Sequence, residues 1–531
     1  MELTGKSLIA SQPGSEGKTF RAFEPASGAA IEPPYHVASA ADVELAAQKA
    51  VEAFAHFGRA PGTARAALLK QIAANIDALA ESLIDRAHQE SALPKPRLKS
   101  EVGRTSGQLR LFAKVLQDGS WTMPCIDRPD PARKPPKPDL RSCLRPIGPV
   151  VIFGASNFPL AFSVAGGDTA SALAAGNPVI VKAHPAHPGT SELVGAAIRD
   201  AIRECGMHPG IFSLLFDSGV SVGAALVQHP AVKAVGFTGS LVAGRALFDL
   251  AAKRPEPIPV YAEMGSTNPV FVLPGALAAR APEIAAQLFA SVTMGAGQFC
   301  TKPGLIFLSK QPPAVEFVHV MQEKISQAAP FTMLTSGIRS AFTRETEART
   351  HRIGVTLAAA APMAPDGESF SAIASLFETD FPTFLASSDL SAEVFGPTTL
   401  LVRYDDPRQL LEAARGLAGH LTATVFATAD DVQKYPELIA ILENKVGRIV
   451  FNSVPTGVEV THAMIHGGPY PASTDSRTTS VGSQSIFRFA RPVCYQDCPD
   501  TALPAELQNA NPLGVWRMID GEVTRQPVLG A

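Results

Sequence analysis

The chain has 531 residues, 46% of them hydrophobic and 18% charged, with a formal net charge of -3. That length exceeds one simple core and predicts two or three domains. The near-neutral balance, with no long run of one sign, excludes the basic footprint that nucleic acid or an acidic membrane surface requires.

No basic n-region with an apolar stretch follows Met1. No apolar run reaches the ~18 residues that span a bilayer. A cytoplasmic protein with reduced thiols and no membrane partner is therefore expected.

The first ~35 residues are rich in Gly, Pro and Ser and predict an arm or irregular lead-in. Ser39 can cap a helix over 40–57, where Val43, Ala46, Ala47, Ala50 and Val51 repeat at helical spacing. Further helices are expected over 63–80, 81–91 and 96–116. Residues 124–138 carry Pro-Asp-Pro and Pro-Pro and read as a linker or exposed excursion.

From Pro149 short apolar strands alternate with helices. Strands are expected at 150–153, 179–181, 211–216, 232–237 and 258–262, with helices at 164–175, 191–203, 220–228 and 241–252. This alternation specifies a parallel sheet covered on both faces, a nucleotide-binding type of core. A second α/β block covers 268–447, with strands at 269–272, 305–308, 398–404 and 422–426. The last ~60 residues lack a periodic pattern, and no internal repeat is present.

The six cysteines are scattered, and only Cys494 and Cys498 lie close together, without the ligand spacing of a zinc site. No metal is expected. Most of the six read as small buried hydrophobes. Cys300 stands apart because Gly295-Ala296-Gly297-Gln298-Phe299 leads into it, and glycines permit a tight backbone path with room near the sulfur. A buried, inert cysteine is the commoner fate. No local His offers a papain-type partner, yet thiolate attack on an aldehyde needs none if the site lowers the thiol pKa.

The usual G-x-G-x-x-G fingerprint is missing after the first core strand, where the chain reads Gly154-Ala155-Ser156-Asn157-Phe158-Pro159. Thr238-Gly239-Ser240, directly before the 241–252 helix, offers another phosphate seat through unpaired N–H groups and the positive helix end. A Ser N-cap by itself only caps. Glu263 ends a buried strand, where binding and catalysis collect in parallel sheets, although a turn cap is an equal reading. Lys182 ends another strand and could reach cofactor hydroxyls or simply be solvated. Out of context, Glu393-Val394-Phe395-Gly396-Pro397 is only a turn.

The order and separation of these segments are more specific than any one of them. Asn157, Lys182, the Phe-Thr-Gly-Ser turn, Glu263, Cys300 and Glu-x-Phe-Gly-Pro together resemble the aldehyde dehydrogenase superfamily over roughly residues 20–490. The resemblance is closest to its α-ketoglutaric semialdehyde (2,5-dioxovalerate) dehydrogenase branch. The cues are Lys182-Ala183-His184-Pro185-Ala186-His187-Pro188-Gly189-Thr190-Ser191, Ala262–Pro269 and Val458–Met464. A long-chain fatty aldehyde dehydrogenase shares some of them.

That resemblance implies an α/β fold with a Rossmann-like parallel-sheet cofactor domain (1–125 and 148–265) and an α/β catalytic domain (266–447). It also implies a small β oligomerisation arm with a C-terminal segment (126–147 and 470–500), leaving 501–531 as a tail. A homodimer or homotetramer is implied, the arm using residues near 143–146 and 485–493.

By the same resemblance Cys300 is the nucleophile. Asn157 and the Cys300 backbone N–H hold the oxyanion, worth about 3–4 kcal/mol per donor. Glu263 activates water to hydrolyse the thioester. Lys182 and Glu393 hold cofactor ribose hydroxyls, Phe395 packs beside the nicotinamide, and Gly239 and Ser240 contact the pyrophosphate.

The implied small-molecule substrate is an aldehyde, most closely 2,5-dioxopentanoate, with Arg104 and Arg477 as candidates for its distal carboxylate. Pro185 stands where many NAD-preferring relatives carry a ribose-binding Glu, so NADP use is expected, with NAD tolerated. Ser156 replaces a common Trp, which predicts a more open or polar entrance. A CoA-acylating enzyme, or a silent or esterase-like scaffold, is the competing reading, and Glu263 argues for hydrolysis.

Overall fold

A computed structural model describes residues 2–362 and 369–528. The helix Ala40–Phe57 starts at Ser39, whose hydroxyl accepts from the Asp42 N–H while the Asp42 carboxylate accepts from the Ser39 N–H, a closed capping box. Gly62–Ala78, Ala80–Ser91 and Lys95–Asp118 follow within two residues of the expected bounds. Their apolar faces pack on the first sheet in a single core with Val150, Val179 and Phe212.

That sheet carries the nucleotide-binding pattern. In spatial order its parallel strands are Val260–Glu263, Ala234–Thr238, Val150–Phe153, Val179–Lys182 and Phe212–Leu215. Leu8–Ile9 and Gln12–Pro13 extend it antiparallel at the far edge. Val150, Val151, Val179, Ile180 and Val181 are fully buried, and each such side chain contributes about 1.5–3 kcal/mol on leaving water. The connections diverge from Val150–Phe153 in opposite directions. A crevice therefore opens between the C-terminal ends of that strand and Ala234–Thr238, where ligands bind in open α/β sheets.

A second seven-stranded sheet contains the four strands expected in this block, Val270–Val272, Leu305–Ser309, Thr398–Tyr404 and His420–Phe426. The sequence reading missed three others in it, Val355–Ala360, Ser375–Asp380 and Val446–Phe451. Val355–Ala360 and Val446–Phe451 lie at the two edges and are only partly buried, so they need no continuous apolar run.

The 124–138 stretch is less of an excursion than its prolines predict. Cys125–Asp127 is a strand, with Ile126 fully buried, paired with Leu140–Pro146. Ala490–Gln496 pairs along the other edge of Leu140–Pro146, with Val493 opposite Cys143. The last residues join the same sheet through Arg517–Ile519 and Glu522–Thr524. Arg517 fixes them, donating to the carbonyls of Gln508, Asn509 and Gln526. Among the described residues no helix is long and apolar enough to cross a membrane.

Candidate active site

Of the four crossover helices of the first sheet, the three after Val179–Lys182, Phe212–Leu215 and Ala234–Thr238 have N-termini that are not equivalent. At Pro188–Glu204 the Glu90 carboxylate accepts from the N–H groups of Gly189 and Thr190 at 2.7 and 2.9 Å. At Ser221–Gln228, Asp217 accepts from the Val222 N–H at 3.0 Å. A carboxylate thus already satisfies two of the three positive helix ends. At Leu241–Ala252 only the Ser240 hydroxyl caps, accepting from the Ala243 N–H at 3.3 Å.

This uncharged terminus opens, with Gly239, Leu241 and Val242, on a cavity of about 670 Å³. It is therefore the helix end that fits a cofactor pyrophosphate. The Gly239 N–H also donates to the Glu263 carbonyl at 3.0 Å, tying this turn to the next strand end.

The reaction side is built around a cramped turn. Gly295, Ala296 and Gly297 all have positive φ, at 56°, 60° and 65°. A side chain at Gly297 would meet the Gly396 carbonyl oxygen at 2.2 Å, so the turn before Cys300 and the Glu393–Pro397 segment pack backbone to backbone. Asn268 stabilises the turn, its Nδ2 donating to the carbonyls of Cys300 at 2.8 Å and Lys302 at 2.9 Å. Lys302 is buried and donates to the carbonyls of Val394 and Thr398, closing the other side. Asn157, also buried, donates from Nδ2 to the Gln298 carbonyl at 3.0 Å and so lies against the same turn.

Cys300 is held among proton carriers. Its Sγ lies 3.5 Å from His466 Nε2, which is 2.9 Å from Glu263 Oε1. Ser480 donates to Glu263 Oε2. One ligand-capable atom from each of Cys300, Glu263 and His466 falls within 4.8 Å of the others. This donor set could in principle grip a cation, but both Glu263 oxygens already face His466 and Ser480, and the trio reads as a proton-sharing group.

Burial pushes the Cys300 thiol well above its ordinary range, and the negative charges of Glu263 and Glu393 add to the effect, against a smaller pull from Arg104. For Glu263, burial works upward, but His466, Ser480 and the Cys300 thiol prevail and hold it below the usual carboxylate range. The sequence offered no local His partner, and none is local; the expectation of a lowered thiol pKa is the point that changes. The thiol is raised, within 4.8 Å of the Glu263 carboxylate, and a histidine arrives from a distant loop.

Asn157, Glu263 and Cys300 line the same cavity as Gly239 and Ser240, together with Glu393 and Phe395. Lys182 is set back at the next strand end, 8% exposed. Burial pushes it down to about 8 against the attraction of Asp217. Glu393 packs against Gly265, and burial pushes its carboxyl up to about 7, opposed by Lys302. Arg477 does not reach the site, since its exposed guanidinium is bonded to Asp475. His466, Ser480, Asn268 and Lys302 were missed. Asn268 and Lys302 stood inside or beside the segments singled out, whereas His466 and Ser480 had no local pattern to mark them.

The Aldehyde dehydrogenase family model matches residues 12–337. The chain is 50% identical to an alpha-ketoglutaric semialdehyde dehydrogenase 2 of Azospirillum brasilense, over 98% of this chain and 100% of that protein. It is 46% identical to an alpha-ketoglutaric semialdehyde dehydrogenase of Acinetobacter baylyi, over 91% and 92% of the two chains. The fold is similar to an NAD+ complex of an aldehyde dehydrogenase from Bacillus cereus, with TM-score 0.79 and 20% identity over 92% of this chain and 96% of that one.

Proposed function

The chain belongs to the aldehyde dehydrogenase family, and from that premise we propose that it oxidises 2,5-dioxopentanoate to 2-oxoglutarate, with NADP preferred and NAD tolerated. The observation that carries the chemistry is the placement of the Glu263 carboxylate, held by His466 and Ser480, within 4.8 Å of the Cys300 sulfur on the wall of one cavity. The end-to-end likeness to two dehydrogenases named for this semialdehyde supports the substrate.

The residues act in a chemically ordered way. Glu263 takes the thiol proton as Sγ attacks the aldehyde carbon. The oxyanion that forms is held by Asn157 Nδ2 and the Cys300 backbone N–H. The nicotinamide cofactor, when bound, supplies the hydride acceptor that leaves a thioester on Cys300. Glu263 must shed its proton to solvent before acting again, and the neighbouring His466 at 2.9 Å favours its return to the ionised form. Glu263 then deprotonates the water that hydrolyses the thioester to the free acid. A base in contact with the sulfur favours this hydrolytic route over transfer to coenzyme A.

Gly239 and Ser240 would contact the cofactor pyrophosphate, Lys182 and Glu393 its ribose hydroxyls, and Phe395 the nicotinamide face. Pro185 leaves the adenosine ribose without the carboxylate that would repel a 2'-phosphate. Leu140–Pro146 and Ala490–Gln496 would form the arm of a dimer or tetramer. An aldehyde panel with NADP and NAD, run on wild type and Cys300→Ser, tests the whole reading. Normal oxidation by the serine variant would remove the nucleophile, and a kcat/KM preference for NAD above about tenfold would overturn the cofactor assignment.

A further inference from the structure

One face of the helix Lys95–Asp118 is turned toward the Asn157 segment, and residues spaced three and four apart share that face. Three of them hold the segment in place. Arg97 Nη2 donates to the Asn157 carbonyl at 2.7 Å. Glu101 Oε1 accepts from the N–H groups of Leu160 and Ala161 at 2.9 and 3.0 Å. Gln108 Nε2 donates to the Ala161 carbonyl at 3.2 Å.

Arg104, on the same face, bonds none of it. Its guanidinium lies 5.2 Å over the Phe162 ring, whose centroid is 6.5 Å from that of His466. Burial pushes the Arg104 guanidinium down, and the carboxylates of Glu101 first, then of Glu459 and Glu263, oppose that. Among the described residues Arg104 alone has two buried guanidinium nitrogens, Nε and Nη2, without a hydrogen-bond partner. Two other arginines near the site are committed. Arg97 donates to the Asn157 carbonyl and lies over the faces of Phe158 and Phe299, with one buried nitrogen, Nη1, unbonded. Arg448 donates to the carbonyls of Gly457 and Pro455.

Buried N–H groups left unbonded are costly, and the planar fork of a guanidinium matches a carboxylate through two parallel bonds. We propose that Arg104 recognises the distal carboxylate of the aldehyde and thereby sets the preference for acid aldehydes over uncharged ones. This inference rests on the substrate reading above and names the residue that enforces it. Phe162 then supports the guanidinium from below, and the aldehyde end is directed at Cys300.

The test compares 2,5-dioxopentanoate with pentanal, which has the same carbon count and no carboxylate, on wild type, Arg104→Gln and Arg104→Lys. Arg104→Gln should raise KM for the acid about 100-fold while leaving kcat/KM for pentanal unchanged or higher. Arg104→Lys should recover only part of the discrimination, because it keeps the charge and loses the fork. Unchanged discrimination in Arg104→Gln would overturn the proposal. An equal loss with both aldehydes would do the same, since Arg104 would then only brace the Asn157 segment. Wild type that turns over pentanal as readily as the acid would instead overturn the substrate reading on which the proposal stands.

Discussion

The two sides of the cavity are assembled differently. On the side proposed for the nucleotide, Lys182, Gly239 and Ser240 sit at or just past the ends of strands in one sheet, and much of the binding would fall to backbone N–H groups at a helix end. On the side proposed for the aldehyde, Glu263, Cys300, His466 and Ser480 come from separate segments and meet through their side chains, while Asn157 lies against the turn before Cys300. A seat made of many small backbone contributions should yield gradually to substitution, whereas a side-chain proton circuit should break at one point.

The largest effect is expected at Glu263. Glu263→Gln should lower steady-state kcat about 1,000-fold and slow the single-turnover burst of reduced cofactor as well, because both the thiol attack and the hydrolysis of the thioester lose their base. The same substitution removes a negative charge beside Cys300. Since that charge raises the thiol pKa, the alkylation of Cys300 by iodoacetamide should shift to lower pH in the variant. A burst as fast as in wild type, and an unshifted alkylation profile, would mean that Glu263 does not face the sulfur as a base.

His466 should come next. His466→Asn removes the leading influence that holds the Glu263 carboxyl down, so that group must titrate at higher pH in the variant. The acid limb of kcat therefore moves upward in pH, with a loss of about 100-fold below it and a smaller loss on the alkaline side. A uniform loss at every pH would reduce His466 to packing.

The same contrast explains what could be read from the sequence. Cys300, Glu263 and Asn157 were legible because each follows or ends an apolar run and stands in a turn whose glycines or order betray it. Gly297 marked a close approach that proves to be the contact with Gly396. His466 was not legible, being 166 residues from Cys300 in an irregular loop before Gly467-Gly468-Pro469. Its role depends on tertiary placement, which no periodicity encodes. The C-terminal strands were hidden for a related reason. Arg517 fixes them through carbonyl oxygens, so they need no alternating apolar pattern.

On the nucleotide side the effects should be graded. Lys182, with its pKa lowered to about 8, is a cation below that pH and neutral above it. Binding of NADP, followed by fluorescence titration, should weaken about tenfold between pH 7 and pH 9.5, and binding of NAD by less. A flat profile would place Lys182 outside the cofactor contacts.

The smallest expected effect separates the helix ends themselves. Ser240→Ala removes a cap worth about 1 kcal/mol, but the backbone N–H groups of the Leu241–Ala252 terminus remain to meet the pyrophosphate. The cofactor KM should rise about fivefold, with kcat for the acid aldehyde unchanged. Glu90→Gln supplies the control, because its carboxylate already occupies the N-terminus of Pro188–Glu204 and does not line the cavity. It should lower the thermal midpoint without moving the cofactor KM. A larger KM change at Glu90 than at Ser240 would reverse the assignment of the two helix ends, and the pyrophosphate would then have to sit at the end that Glu90 now closes.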